Sequence, residues 1–103
     1  MRGAIYEMYD TIKLKKGKRA NMVNENTNVK EWYIKTYSTD TMGEEIRSDI
    51  TFYDIFNALD KKKDFYDFIG VYDSLIRERI FRQLAKIMKV DYMYIYNQWL
   101  LTD

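Results

Sequence analysis

The sequence predicts a mainly α-helical fold, about five short helices in one compact domain over residues 29–103. A basic N-terminal arm, residues 1–28, precedes it as a loop or a small β-hairpin, an α+β variant of the same plan. Three observations carry this reading. A chain of 103 residues supports one hydrophobic core and little more. Apolar content of 47%, with ten Tyr, five Phe and two Trp, lies well above disordered compositions. From Asn28 onward, short polar residues that cap helices alternate with apolar residues at helical spacing.

The arm is ambiguous by periodicity, since Ile5, Met8, Tyr9 and Ile12 fit a helical face while Tyr6, Met8, Ile12 and Leu14 fit a strand face. KLKKGKRANMVNENTN follows, with Gly17 in a basic run and four Asn between positions 21 and 28, a composition that favours turns. The first helix is expected from Val29 to Tyr37, because Asn28 followed three residues later by Glu31 has the spacing of a reciprocal cap. Residues 38–43 read as a connection. Thr51 then precedes Phe52, Ile55, Phe56 and Leu59 at helical spacing, and Lys61, Lys62 and Lys63 suit the solvated C-terminal end of that helix.

Asp64 is placed to cap a short helix from Phe65 to Ile69 that Gly70 closes. The longest helix starts at Asp73 or Ser74. Its expected apolar stripe is Leu75, Ile76, Ile80, Phe81, Leu84, Ile87 and Met88, with Arg79, Arg82, Lys86 and Lys89 on another face. Asp91 caps a last helix in which Tyr92, Ile95, Tyr96, Trp99 and Leu100 repeat at helical spacing.

Composition excludes several chemistries. Without Cys there is no disulfide, thiolate metal site or thiol nucleophile, and without His there is no imidazole base or haem ligand. Carboxylates remain, but Asp49, Asp54, Asp60, Asp64, Asp67 and Asp73 fall on caps and turns with nothing in the spacing to converge them. The four glycines stand alone, so no phosphate-binding loop is present. The expectation is a protein that is not an enzyme and carries no cofactor and no metal. MRGAIYEMYD is too short and polar for a signal peptide, and no run of 18 apolar residues occurs, so a cytoplasmic protein without a membrane partner is expected.

Charge is unevenly spread, about +4 over residues 1–36, −5 over 37–73 and +2 over 74–103. Such a dipolar surface suits a protein partner at least as well as a polyanion. Candidate partner-binding residues are Lys13, Lys15, Lys16, Lys18 and Arg19 in the arm, and Arg79, Arg82, Lys86 and Lys89 on the long helix. The plainer reading of the second group is a solvated helix face. Tyr53, Tyr66, Tyr72, Met93 and Tyr94 fall beside the core stripes and are candidates for contact with a partner.

LAKIMKVDYMYIYNQWL has the layout of a helix-turn-helix, with Ala85 as the small residue, Val90 in the turn, Asp91 as cap and Ile95 inside. Lys89 stands where glycine usually allows a left-handed turn residue. The second helix would offer Tyr94, Asn97 and Gln98 to nucleic acid, but no Arg or Lys.

From Glu31 onward, the segments EWYIKTYSTDTMGEEI, TFYDIFNALD and FYDFIGVYDSLIRERIFRQLAKIMKVDYMYIYNQWL resemble small accessory proteins of phages and conjugative elements of Gram-positive bacteria. The resemblance covers about the last seventy residues, GVYDSLIRERIF being its most distinctive piece. It implies an anti-defence role of the anti-CRISPR or antirestriction type, in which a mobile-element protein inhibits a host CRISPR effector nuclease or its RNA complex. The alternative is a helix-turn-helix regulator binding duplex DNA, with Arg82, Asn97 and Gln98 in contact. A third is an assembly adaptor of the mobile element.

Overall fold

A short polar side chain sets the start of every helix. The computed structural model of the chain describes residues 22–102, so the hairpin expected within residues 1–28 falls mostly outside them. Five α-helices follow in order: α1 (Val29–Thr36), α2 (Phe52–Asp60), α3 (Phe65–Ile69), α4 (Ser74–Met88) and α5 (Tyr92–Leu100). A 3-10 turn, Thr41–Glu45, lies between α1 and α2. The one β-pairing among the described residues is an isolated antiparallel bridge between Asn28 and Thr51.

That bridge joins the starts of α1 and α2. Val29 N–H donates to Ile50 O at 3.0 Å and Phe52 N–H to Thr27 O at 3.2 Å, while the Asn28 side-chain amide donates to Ser48 O at 2.8 Å. Asn28 Oδ1 accepts from Glu31 N–H at 2.9 Å, so the cap forms as expected. Its reciprocal half does not, and Glu31 stays exposed. The complete box forms at α2 instead, where Thr51 N–H donates to Asp54 Oδ2 at 2.9 Å and Asp54 N–H to Thr51 Oγ1 at 3.2 Å. Asp64, Asp73 and Asp91 accept the free amides at the starts of α3, α4 and α5.

Helix ends need a left-handed residue more often than glycine supplies one. Gly70 closes α3 at φ 87°, as the sequence predicts, but Lys62 and Lys89 close α2 and α4 at φ 62° and 59°. After α2, Lys63 N–H reaches back to Ala58 O at 2.9 Å; after α4, Val90 N–H reaches Ala85 O at 3.1 Å. These bonds satisfy carbonyls that the helix leaves free, which offsets part of the strain of a side chain at positive φ.

The core runs through every helix: Val29, Trp32 and Tyr33 from α1; Phe52, Ile55 and Leu59 from α2; Phe65 and Ile69 from α3; Ile76, Ile80, Phe81, Leu84 and Ala85 from α4; Ile95 from α5. Each large apolar side chain buried there contributes about 1.5–3 kcal/mol. Leu75 does not belong to it, being 52% exposed. At about 100° per residue it sits one step behind Ile76 and points away from the stripe of Ile76, Ile80 and Leu84. Gly43 in the 3-10 turn is required by close approach, since a Cβ there would lie 2.7 Å from Cδ1 of the buried Tyr33 ring.

Candidate functional site

The four cations expected on one face of α4 have different surroundings. Arg79 is held inside the fold: its Nη1 donates to Tyr33 Oη at 2.7 Å and lies 3.0 Å from Asp40 Oδ2. Tyr33 Oη in turn donates to the same carboxylate oxygen at 2.6 Å. The guanidinium also sits 4.2 Å from the centre of the Tyr37 ring. Burial, and then the hydrogen bond to Asp40, push the Tyr33 hydroxyl up to about 12, with Arg79 pulling the other way. Tyr33, the Met42 amide and Arg79 hold the Asp40 carboxyl below its ordinary value. This triangle pins the 3-10 turn and α1 to α4, so Arg79 is engaged within the molecule.

Arg82 is paired more loosely, with Glu78 Oε2 at 2.9 Å and the Tyr92 ring centre at 4.4 Å. Lys86 and Lys89 are exposed. Lys13, Lys15, Lys16, Lys18 and Arg19 lie outside the described residues.

Arg77 is the cation that sequence reasoning passes over. It falls on the core side of α4, donates from Nη1 to Tyr66 Oη at 2.8 Å and stacks 4.2 Å from the Trp99 ring centre. Its Nε is buried without a hydrogen-bond partner. The ring contact supplies electrostatic compensation in place of a carboxylate, and it fastens α5 to α4. Tyr66, a candidate contact residue, is drawn into this cluster and stacks on Tyr72, whose hydroxyl donates to Asp67.

The helix-turn-helix positions pack as that layout requires. Ala85 and Ile95 are buried, Val90 lies in the turn, and Lys89 takes the left-handed conformation usually left to glycine.

The unusual surface is the outer side of α5. Ile95 is fully buried and Tyr92, Tyr96 and Trp99 are partly so, forming the inward side. Around the helix from them, Met93 (51%), Tyr94 (48%), Leu100 (53%) and the following Leu101 (58%) are about half exposed, with exposed Asn97 among them. YMYIYNQWL contains no charged residue. A short helix apolar on both sides departs from the amphipathic pattern of a surface helix, and residues of this kind mark interaction surfaces.

Two hollows adjoin described helices. One, of about 600 Å³, lies along α1 between Met22, Val23, Thr27, Glu31, Trp32, Ile34 and Lys35. The other is a crevice between α2 and α5, lined by Phe56, Leu59, Asp60, Tyr94, Ile95 and Gln98. Tyr94 and Gln98, two of the residues named for nucleic-acid contact, therefore form one wall of a crevice whose other wall is α2. Asn97 stands on the outer face beside them.

Among the described residues, no three acidic side chains stand close enough to hold a metal ion, and no helix is long and apolar enough to cross a membrane. The chain matches no family model, no curated protein and no solved structure.

Proposed function

We propose that this protein is a non-enzymatic interaction module that docks on another protein through the outer side of α5. The observation that carries the reading is the face of Met93, Tyr94, Asn97, Leu100 and Leu101, which is half exposed and flanked by a side-chain-sized crevice. Tyr and Met suit such anchors: both supply large contact areas, and Met adapts its shape to the partner. The absence of charge on this helix favours a protein surface over a phosphate backbone, whose binding rests on Lys and Arg. The resemblance of residues from Glu31 onward to small mobile-element proteins supports a partner in a host nucleic-acid-directed defence system, a CRISPR effector nuclease first among them.

The test is a plasmid-interference assay in a Gram-positive host with an active CRISPR effector, expressing either the natural chain or the double variant Met93→Asp/Leu100→Asp. The natural chain should restore transformation and the variant should not, with equal amounts of folded protein by circular dichroism. Full interference in the presence of the natural chain would overturn this reading for that effector class.

The second reading, a helix-turn-helix regulator, is favoured by one specific observation: Ala85, Lys89 and Ile95 adopt the burial and backbone geometry of that motif. It expects nanomolar binding to a duplex that weakens steeply with salt and depends on Arg82, Asn97 and Gln98. A protein partner should bind equally well after nuclease treatment.

A further inference from the structure

Resting on that reading of α5, we infer that the crevice between α2 and α5 receives an arginine side chain of the partner protein. Its floor is apolar, made by Phe56, Leu59 and Ile95, and its rim carries Tyr94, Gln98 and a single charge, Asp60. Even with its open mouth included, its free volume is about 210 Å³, below the roughly 300–1,000 Å³ of small-molecule pockets. That is room for one long side chain. The occupant that fits has an apolar stem and a cationic, planar tip.

Two further observations point to the positive tip. Asp60 is the last residue of α2, and among the four α-helices of eight residues or more α2 alone ends on an acid. A helix C-terminus is the negative end of the peptide dipoles, so a carboxylate there is repelled by its own helix. Lys61, Lys62 and Lys63 follow directly, yet Asp60 has no ion-pair partner among the described residues. A bound cation would relieve that repulsion.

The fold's own arginines show the matching geometry. Arg79 lies between Asp40 and the Tyr37 ring, and Arg82 between Glu78 and the Tyr92 ring. Asp60 beside Tyr94 offers the same two acceptors, a carboxylate and a tyrosine face, with no arginine among the described residues seated on them. The partner supplies it.

The experiment is a titration of the isotope-labelled full chain with N-acetyl-arginine amide, followed by amide chemical shifts. N-acetyl-citrulline amide serves as the neutral isostere. The arginine probe should shift Asp60, Tyr94, Ile95 and Gln98 saturably and the citrulline probe should not. Asp60→Asn should weaken arginine binding by about tenfold, the size of one charge-assisted hydrogen bond. Absence of shifts at the crevice, equal shifts by citrulline, or binding indifferent to Asp60→Asn would each overturn the inference. If the titration fails while Met93→Asp/Leu100→Asp still abolishes relief of interference, the docking face stands and only its arginine subsite falls.

Discussion

The outer sides of α4 and α5 meet water in opposite ways. The long helix presents Glu78, Arg82, Lys86 and Lys89, and its most buried cations, Arg77 and Arg79, turn back onto Trp99 and Tyr37. The last helix presents Met93, Tyr94, Leu100 and Leu101 with no charge among them. A row of arginines at helical spacing therefore gives less free positive charge than its count suggests, because aromatic neighbours and carboxylates inside the fold have first claim on it. The uncharged helix, unremarkable as a charge pattern, has the surface that still lacks a partner.

The contrast can be tested first where its effect is largest. Arg79→Ala should destabilise the chain by about 2–3 kcal/mol, because Asp40 and Tyr33 lose a half-buried charged partner. Arg82→Ala, whose ion pair is exposed, should cost under about 1 kcal/mol. Urea denaturation of the two variants side by side checks the difference; equal losses would mean that the α4 arginines are alike after all.

A pH series sharpens the same point. Tyr33 has its pKa raised to about 12, so its contribution is complete below the unfolded tyrosine value near 10 and is lost as pH rises through the folded value. Asp40 is shifted down, so its contribution is present above the unfolded aspartate value and is lost as pH falls through the folded one. Tyr33→Phe should flatten the alkaline limb of a melting-temperature profile and leave the acid limb sloping. An unchanged alkaline limb would remove Tyr33 as its source.

Smaller still, and opposite in sign, is Lys89→Gly. Relief of a positive-φ side chain should stabilise the fold by about 1 kcal/mol, less the entropy that glycine adds to the unfolded chain. Thermal melts resolve a change of this size, and a loss of stability would show that the Lys89 side chain contributes more than its backbone strain costs. The smallest effect belongs to α5: Met93→Asp/Leu100→Asp should leave unfolding free energy within about 0.5 kcal/mol of the natural chain, since both side chains are half exposed. A large loss there would mean that the face belongs to the fold itself.

Much of the fold was readable because its signals are local. Asp64, Phe65 to Ile69 and Gly70 lie side by side in the chain and define α3 almost without tertiary help, and the caps at Thr51, Asp73 and Asp91 work in the same way. Leu75 misleads because an apolar residue next to Ile76 looks like part of the stripe unless its angle around the helix is followed. The missing half of the Asn28 cap has a long-range reason, the Asn28 amide being committed to Ser48.

The site was less legible. That Arg79 is bound rather than free depends on Asp40 and Tyr33, both distant in sequence, and nothing in their spacing announces the meeting. Arg77 carries no carboxylate partner that a charge pattern could reveal. The crevice arises only where α2 and α5 approach, so Asp60 reads as one solvated acid among several, while Met93 and Tyr94 were visible as residues without a place in the core stripe.

The bridge at Asn28 and Thr51 bears on how the chain folds. Helices of eight and nine residues do not persist alone in water, because too few hydrogen bonds follow the costly first turn. Here one closure fixes both starting points at once, so the entropy of bringing the segments together is spent on two nuclei. The amides of Val29, Phe52 and Tyr53, which donate across this junction, should exchange with solvent at a common rate, making α1 and α2 one cooperative unit although a connection and a 3-10 turn separate them in sequence.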